Sequence, residues 1–333
     1  MRLPTIDDIR DAAQRLKPFA VETPLLEFAV LSSKLGGRVL IKAETLQRTG
    51  SFKFRGAYNC VSRVDRNEFP GGVVACSSGN HAQGVAEAAR LCGVEAVIVM
   101  PSDAPLLKIA RTSQAGAEVV FYNRETEDRN AIARDLCEKI KAAFVPPFDD
   151  PYVIAGQGTA GLELCRQAQA LGAKIDAVLV PASGGGLTAG VALAVKDNFL
   201  DAEIYCVEPK GFDDYKRSLA AGTRQKNDRM SGSVCDALLM TEPGELTFAM
   251  NKDRLAGGIV VGDNDAKDAV AYAYRELKLV AEPGGAVALA ALLSGAFPLK
   301  GRTVALVLSG ANIDPQLFAE IICDGKELPA SSQ

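Results

Sequence analysis

Short, nearly continuous apolar runs recur along this chain at residues 39–44, 71–76, 96–100, 118–122, 143–146, 177–181, 203–207 and 303–308. Between them lie longer stretches with apolar residues three and four apart, at 57–64, 82–92, 105–115, 125–141, 157–170, 187–196, 265–277 and 286–293. The first pattern reads as buried strands and the second as helices. Strict alternation of the two predicts a parallel sheet covered on both faces, an α/β fold. The start reads as an amphipathic helix over 4–16 with Thr5 as its cap, followed by an extended segment at 21–26. Phe148-Asp149-Asp150-Pro151 is the best candidate for a crossing between domains, and 222–262 reads as loops and short strands. Residues beyond Gly325 read as a frayed tail.

Composition narrows the function. The 333 residues are 48% hydrophobic and 23% charged, with a net charge of −4 and scattered lysines and arginines, so nucleic-acid binding has no electrostatic support. The most apolar windows, 177–195 and 281–297, are broken by Gly, Pro, Ser or Glu, and no membrane span is expected. Residues 1–15 are charged and helix-like, which argues against a secretory leader. Eight dispersed cysteines without a C-x-x-C pair read as reduced thiols of a cytoplasmic protein. A single histidine, His81, leaves no multi-histidine metal site.

Four glycine- and serine-rich turns at strand ends are the candidates for chemistry. Thr49-Gly50-Ser51-Phe52-Lys53-Phe54-Arg55-Gly56 places Lys53 at a helix start, where the dipole disfavours the ammonium and favours the neutral amine that captures carbonyls. A solvated surface lysine is the plain alternative. Ser183-Gly184-Gly185-Gly186-Leu187-Thr188-Ala189-Gly190 can aim backbone N–H groups and a helix N-terminus at a phosphate. Gly184, Gly186 and Ala189 also fit a relaxed dinucleotide fingerprint, with Glu208 placed as a ribose-binding acid, so a nicotinamide or flavin enzyme stays open on this loop alone. Ser77-Ser78-Gly79-Asn80-His81 offers hydroxyls and an amide for a carboxylate or phenolic oxygen, or else an ordinary helix cap. Ser309-Gly310-Ala311-Asn312 offers a hydroxyl to an aromatic nitrogen, or caps a turn.

Taken in order, with Glu282-Pro283 added, these motifs resemble the pyridoxal-phosphate enzymes of the tryptophan-synthase-β fold. The branch they resemble holds serine/threonine dehydratases and serine racemase, and the resemblance runs from about Asp7 to Asp314. It displaces the nicotinamide reading, which gives Lys53 and Asn80 no task. A cofactor-free binding protein on the same scaffold fits least, because Lys53 and the phosphate loop are intact.

The resemblance implies a fold-type II architecture of two open, mostly parallel sheets. Residues 1–63 and 149–325 would form the large cofactor domain, 64–148 a small mobile domain and 326–333 a tail. Lys53 would form the Schiff base with pyridoxal phosphate and act as base at Cα. Phe52 would pack on the pyridine ring, Asn80 would bond the phenolic oxygen, and Ser183, Gly184, Gly185, Gly186 and Leu187 would hold the phosphate. Glu282 would lie at the cofactor, and Ser309 would bond the ring nitrogen; a neutral hydroxyl there favours elimination over transamination. Ser77, Ser78, Gly79, Asn80 and His81 would grip the substrate carboxylate.

β-Elimination of L-threonine or L-serine to a 2-oxo acid and ammonia is the first expectation, with serine racemase or 3-hydroxyaspartate dehydratase as alternatives. Ser78 aligns with the serine that returns a proton to the opposite face of the carbanion in the racemase. Arg129 aligns with an arginine that reaches toward a second carboxylate, or is a solvated helix residue. Glu208, the Phe212 carbonyl and Asp214 resemble the family's divalent-cation site, suited to Mg or Ca; an acidic helix start is the other reading. Ser183, Ala237 and Ala311 stand where many relatives have glycine. A homodimer or higher homo-oligomer is expected, and a carboxy-terminal regulatory domain is not.

Overall fold

Strand and helix alternate to build two separate sheets. The computed structural model describes residues 2–104 and 106–324. In chain order they form α1 (Ile6–Leu16), β1 (Leu25–Glu27), α2 (Ala29–Leu35), β2 (Arg38–Ala43) and α3 (Lys53–Val61). Next come β3 (Val73–Cys76), α4 (Asn80–Cys92), β4 (Ala96–Pro101), α5 (Leu106–Gln114), β5 (Glu118–Tyr122), α6 (Arg129–Ile140) and β6 (Ala143–Phe144). They are followed by α7 (Pro151–Ala170), β7 (Ala177–Pro181), α8 (Gly186–Asn198), β8 (Glu203–Pro209), α9 (Asp214–Ala221), α10 (Glu245–Asn251) and β9 (Gly257–Val261). The last are α11 (Asp263–Arg275), α12 (Pro283–Leu293), β10 (Thr303–Leu308) and α13 (Pro315–Cys323).

One sheet has the order β1-β2-β10-β7-β8-β9, the other β5-β4-β3-β6. Every pairing is parallel except β1 with β2. The central strands are buried on both faces, which accounts for their unbroken apolar character. Among the described residues no helix is long and apolar enough to cross a membrane. All eight cysteines are free thiols.

Most expected elements are present, with differences that have physical causes. The first helix begins at Ile6, where Asp8 Oδ2 accepts the Thr5 N–H at 2.7 Å. Of the expected extended segment only Leu25 and Leu26 pair, in a strand that runs on to Glu27. α7 starts at Pro151, six residues before the expected position. Asp150 caps it by accepting from Tyr152 N and Val153 N, and Pro151 fits a first-turn position that needs no N–H. The expected crossing at 148–151 therefore runs directly into a helix start. The irregular stretch 222–262 contains α10 and β9, and α2, α9 and α13 add to the elements expected from sequence. The expected tail, 326–333, lies outside the described residues.

Glycines in α7 look like helix breakers in sequence but set the spacing of the site. A Cβ on Gly156 would lie 2.5 Å from the Arg55 carbonyl oxygen of α3, and one on Gly190 would lie 2.5 Å from Gly158 N. Without side chains there, α3, α7 and α8 pack backbone to backbone, so the Lys53 helix and the glycine loop open onto one space.

Candidate active site

Lys53 starts α3 directly after a turn tied to the end of β10. Phe52 N donates to the Ser309 carbonyl at 3.1 Å, and Ser51 bridges Gly310. The Lys53 side chain is only half-buried, because its amine faces a cavity, yet protein surrounds it closely. Nζ donates to the Pro147 carbonyl at 2.7 Å and lies 5.3 Å from the Phe52 ring centre. Burial brings its pKa down to about 8. Desolvation suffices for this shift, so the neutral amine does not depend on the helix-end argument.

Gly184, Gly185 and Gly186 lead into the N-terminus of α8, with Gly185 at φ 92°. The loop has no room for side chains: a Cβ on Gly184 would lie 2.4 Å from the Phe148 ring, and one on Gly185 2.2 Å from the Tyr215 hydroxyl. Its carbonyls are held from behind. Thr247 Oγ1 donates to the Gly184 carbonyl at 2.6 Å, and Asn251 Nδ2 to the Gly185 carbonyl at 3.3 Å and to Tyr215 Oη at 2.9 Å. Ser183 Oγ accepts from Met240 N at 3.3 Å. With the carbonyls turned away, the backbone N–H groups and the helix end are left for an anion.

The Ser77 to His81 turn leads into α4 from the other sheet. Asn80 Nδ2 donates to Glu282 Oε1 at 2.6 Å, and Asn80 Oδ1 accepts from Asn312 at 2.7 Å, so both ends of the amide are held. Burial, reinforced by the Asp236 charge, pushes Glu282 up to about 7. His81 Nε2 bonds the Val145 carbonyl at 2.9 Å. Burial first, then the Lys53 charge, hold its pKa down at about 3, so His81 is a neutral ring.

Phe52, Lys53, Ser77, Ser78, Gly79, Asn80, His81, Arg129, Ser183, Gly184, Gly185, Gly186, Leu187, Glu282 and Ser309 line one cavity of about 410 Å³. The structure thus gathers residues from 52 to 309 into one place. Lys108, Arg124, Gln157, Asp236 and Ala237 line it as well. Lys108 pairs with Asp236 at 2.9 Å and Arg124 with Asp103 at 2.7 Å. Arg129, the first residue of α6, is half-buried and has no ion pair among the described residues.

Glu208, Phe212 and Asp214 are absent from the cavity wall. Glu208 Oε1 and Oε2 accept from Tyr215 N and Lys216 N at 2.8 and 2.9 Å, which does not suit a ribose-binding acid. Asp214 Oδ1 accepts from Asn227 at 2.6 Å, and its buried Oδ2 has no partner. Among the described residues no three His, Cys, Asp or Glu side chains converge on a point. The donor set is two carboxylates and a backbone carbonyl, all oxygens, which fits a hard divalent cation.

Sequence reasoning missed Phe148, Gln157, Tyr215, Thr247 and Asn251. Pro243-Gly244 before an apolar stretch was the one available signal for α10. The spacing of Tyr215, Thr247 and Asn251 carries no sign that all three brace one loop.

The residues present fit pyridoxal phosphate: an amine with a lowered pKa and a side-chain-free anion cradle share one cavity. The family described as pyridoxal-phosphate dependent enzyme matches residues 16–310. An L-threo-3-hydroxyaspartate ammonia-lyase from a Pseudomonas species is 40% identical over 322 residues, 97% of this chain and 99% of its own. A serine racemase from Schizosaccharomyces pombe is 35% identical over 320 residues, 96% and 98% of the two chains. The crystal structure of T.th. threonine deaminase superposes with a TM-score of 0.88 at 44% identity, covering 93% of this chain and 99% of that one. On sequence, fold and site geometry together, this chain belongs to the family of pyridoxal-phosphate-dependent enzymes.

Proposed function

We propose that this protein is an ammonia-lyase that eliminates water from a β-hydroxy amino acid carrying a second carboxylate, 3-hydroxyaspartate, and then releases ammonia by hydrolysis to give a 2-oxo acid. The observation that carries the substrate choice is Arg129, a half-buried cation on the cavity wall with no acid paired to it among the described residues. Its backbone is fixed to the end of β3, where Cys76 Sγ contacts the Arg129 carbonyl at 3.3 Å. Threonine and serine, the first expectation from sequence, bring no anion to that position. The ammonia-lyase similar to this chain over nearly its whole length, named for 3-hydroxyaspartate, supports the reading.

Bound pyridoxal phosphate supplies the electron sink that makes loss of the Cα proton feasible. The chain's residues do the rest. The Gly184 to Leu187 N–H groups would hold the phosphate, and Phe52 would pack on the ring. Asn80, its amide held by Glu282 and Asn312, would bond the ring's oxygen, and Ser309 would bond its nitrogen. Lys53, with its pKa lowered to about 8, takes the Cα proton as the neutral amine. The Ser77 to Asn80 turn grips the α-carboxylate and Arg129 the second one. The β-hydroxyl leaves as water, and hydrolysis yields a 2-oxo acid and ammonia. Ser78 lines the same cavity as Lys53, which supports racemisation as a side reaction by proton return from the other face.

Residues 64–148, which contain the whole four-stranded sheet, act as the small domain that closes over substrate and excludes water. The Lys108–Asp236 ion pair and the Arg111–Asn312 contact at 3.2 Å tie α5 to the other part of the chain. Glu208, the Phe212 carbonyl and Asp214 hold a Mg or Ca ion. Eight free thiols support a reducing, cytoplasmic location.

The test is a comparison of Arg129→Met with the unaltered enzyme on 3-hydroxyaspartate, serine and threonine, following oxo-acid release and D-isomer formation. A charge-assisted contact of ~1.5–3 kcal/mol predicts a fall in kcat/KM of about 10- to 150-fold on 3-hydroxyaspartate alone. Equal losses on all three substrates would overturn the assignment.

A further inference from the structure

Gln157 lies in α7, where it is 1% exposed, and neither its Oε1 nor its Nε2 has a hydrogen-bond partner among the described residues. Buried primary amides are rarely left unpaired, because an unsatisfied polar group in the interior costs ~1–3 kcal/mol. Its surroundings say where the partner belongs. A Cβ on Gly56, one turn along α3 from Lys53, would lie 3.0 Å from Gln157 Cγ, and a Cβ on Gly186 would lie 2.8 Å from Oε1. The side chain therefore spans the gap between the lysine helix and the glycine loop, and it lines the cavity both of them face. Three of its polar neighbours on that wall are engaged within the protein: Lys53 with Pro147, Asn80 with Glu282 and Asn312, and His81 Nε2 with Val145.

We propose that Gln157 is a further cofactor-binding residue, whose amide donates to the phosphate directly or through one trapped water. This inference rests on the reading of the glycine loop as the phosphate cradle and adds a side-chain donor to its backbone donors. A neutral donor suits the place, since the α8 N-terminus already offsets negative charge and a second cation beside Lys53 would compete for its role. A filler residue at a site so enclosed would be apolar, because an amide without a ligand is a net cost there.

The experiment titrates apoprotein with pyridoxal phosphate and with pyridoxal, which lacks the phosphate, for the unaltered chain, Gln157→Met and Gln157→Glu. Thermal unfolding of each apoprotein is measured alongside. Met keeps the length of the side chain and removes the donor. It should weaken pyridoxal phosphate about tenfold, leave pyridoxal within about twofold, and leave the apoprotein as stable or more so. Glu sets a carboxylate against the phosphate and should weaken the phosphate form about a hundredfold, again sparing pyridoxal. Equal weakening of both ligands, unchanged affinity in both variants, or a destabilised Met apoprotein with unchanged relative affinities would overturn the proposal. If the unaltered chain bound the two ligands equally well, the cradle reading itself would fail, a result distinguishable from failure of Gln157 alone.

Discussion

Two groups of buried charges flank the cavity, and they are built on opposite terms. Behind Lys53, the fully buried Arg55 meets Glu44 through Nε at 2.7 Å and Nη2 at 2.8 Å, and Glu163 through Nη1 at 2.7 Å and Nη2 at 2.8 Å. Lys42 Nζ completes the group on Glu163 at 2.7 Å, the Thr23 carbonyl at 2.6 Å and Gln167 at 3.0 Å. Two cations face two anions. Burial raises the pKa of Glu44, but the charge and hydrogen bonds of Arg55, the Lys42 charge and the Thr23 hydroxyl together more than offset it and leave Glu44 below its ordinary value. On the other side of the cradle, Glu208 and Asp214 are buried with no ion pair among the described residues. Burial first, then the charge of Asp214, pushes Glu208 well above the usual carboxylate range. The first group fixes the helix that carries the amine; the second is short of positive charge, the deficit that the proposed cation would fill.

The largest effect is expected from breaking the balanced group. Arg55→Met leaves the buried Glu44 and the half-buried Glu163 with Lys42 alone and should lower unfolding free energy by ~3–5 kcal/mol in denaturant titration. Glu208→Gln removes an acid from a group where burial and the neighbouring Asp214 already oppose its ionisation. Measured without divalent cations, it should cost far less than Arg55→Met or add stability. Equal losses in the two variants would break the contrast.

That contrast was illegible in the sequence, although much of the site was not. Lys53, the glycine loop and the Asn80 turn could be read because each is a local feature, a run of small and polar residues between a strand and a helix. The parallel sheets followed from near-continuous apolar strands for the same reason. Arg55 meets Glu163 across 108 positions and Lys42 meets it across 121, so their pairing depends on how α7 crosses β2 and α3. Asn251 reaches Gly185 across 66 positions from a helix hidden in an irregular stretch. Gln157 read as one more polar residue of a helix, since periodicity does not reveal which polar positions lack a partner.

A cation sharpens the comparison next. Mg or Ca at Glu208, Asp214 and the Phe212 carbonyl should raise the unfolding midpoint, adding ~2.7 kcal/mol of unfolding free energy at a hundred times the dissociation constant. Chelator should reverse the gain, and Asp214→Asn should abolish it. Because Tyr215 N is held by Glu208 and its hydroxyl lies under Gly185, the same cation should tighten pyridoxal phosphate binding. A midpoint indifferent to cation would leave the carboxylate pair as a helix anchor only.

The smallest effect belongs to the lone charge between the two groups. Lys53 in the apoprotein has no acid beside it, and burial alone brings its pKa from 10.5 to about 8. Below pH 8 both folded and unfolded chains hold this proton, and the full penalty of burying the ammonium is present. Between pH 8 and 10.5 the folded chain releases the proton while the unfolded chain keeps it. Folding is then favoured by rising pH, and the penalty fades. Lys53→Met should therefore stabilise the apoprotein at pH 7 by only ~1 kcal/mol, because the amine reaches water in the cavity and is partly screened. The advantage should shrink as pH rises from 8 toward 10. Thermal unfolding of both apoproteins across that range checks the sign, and a difference independent of pH would mean that Lys53 carries no buried charge to relieve.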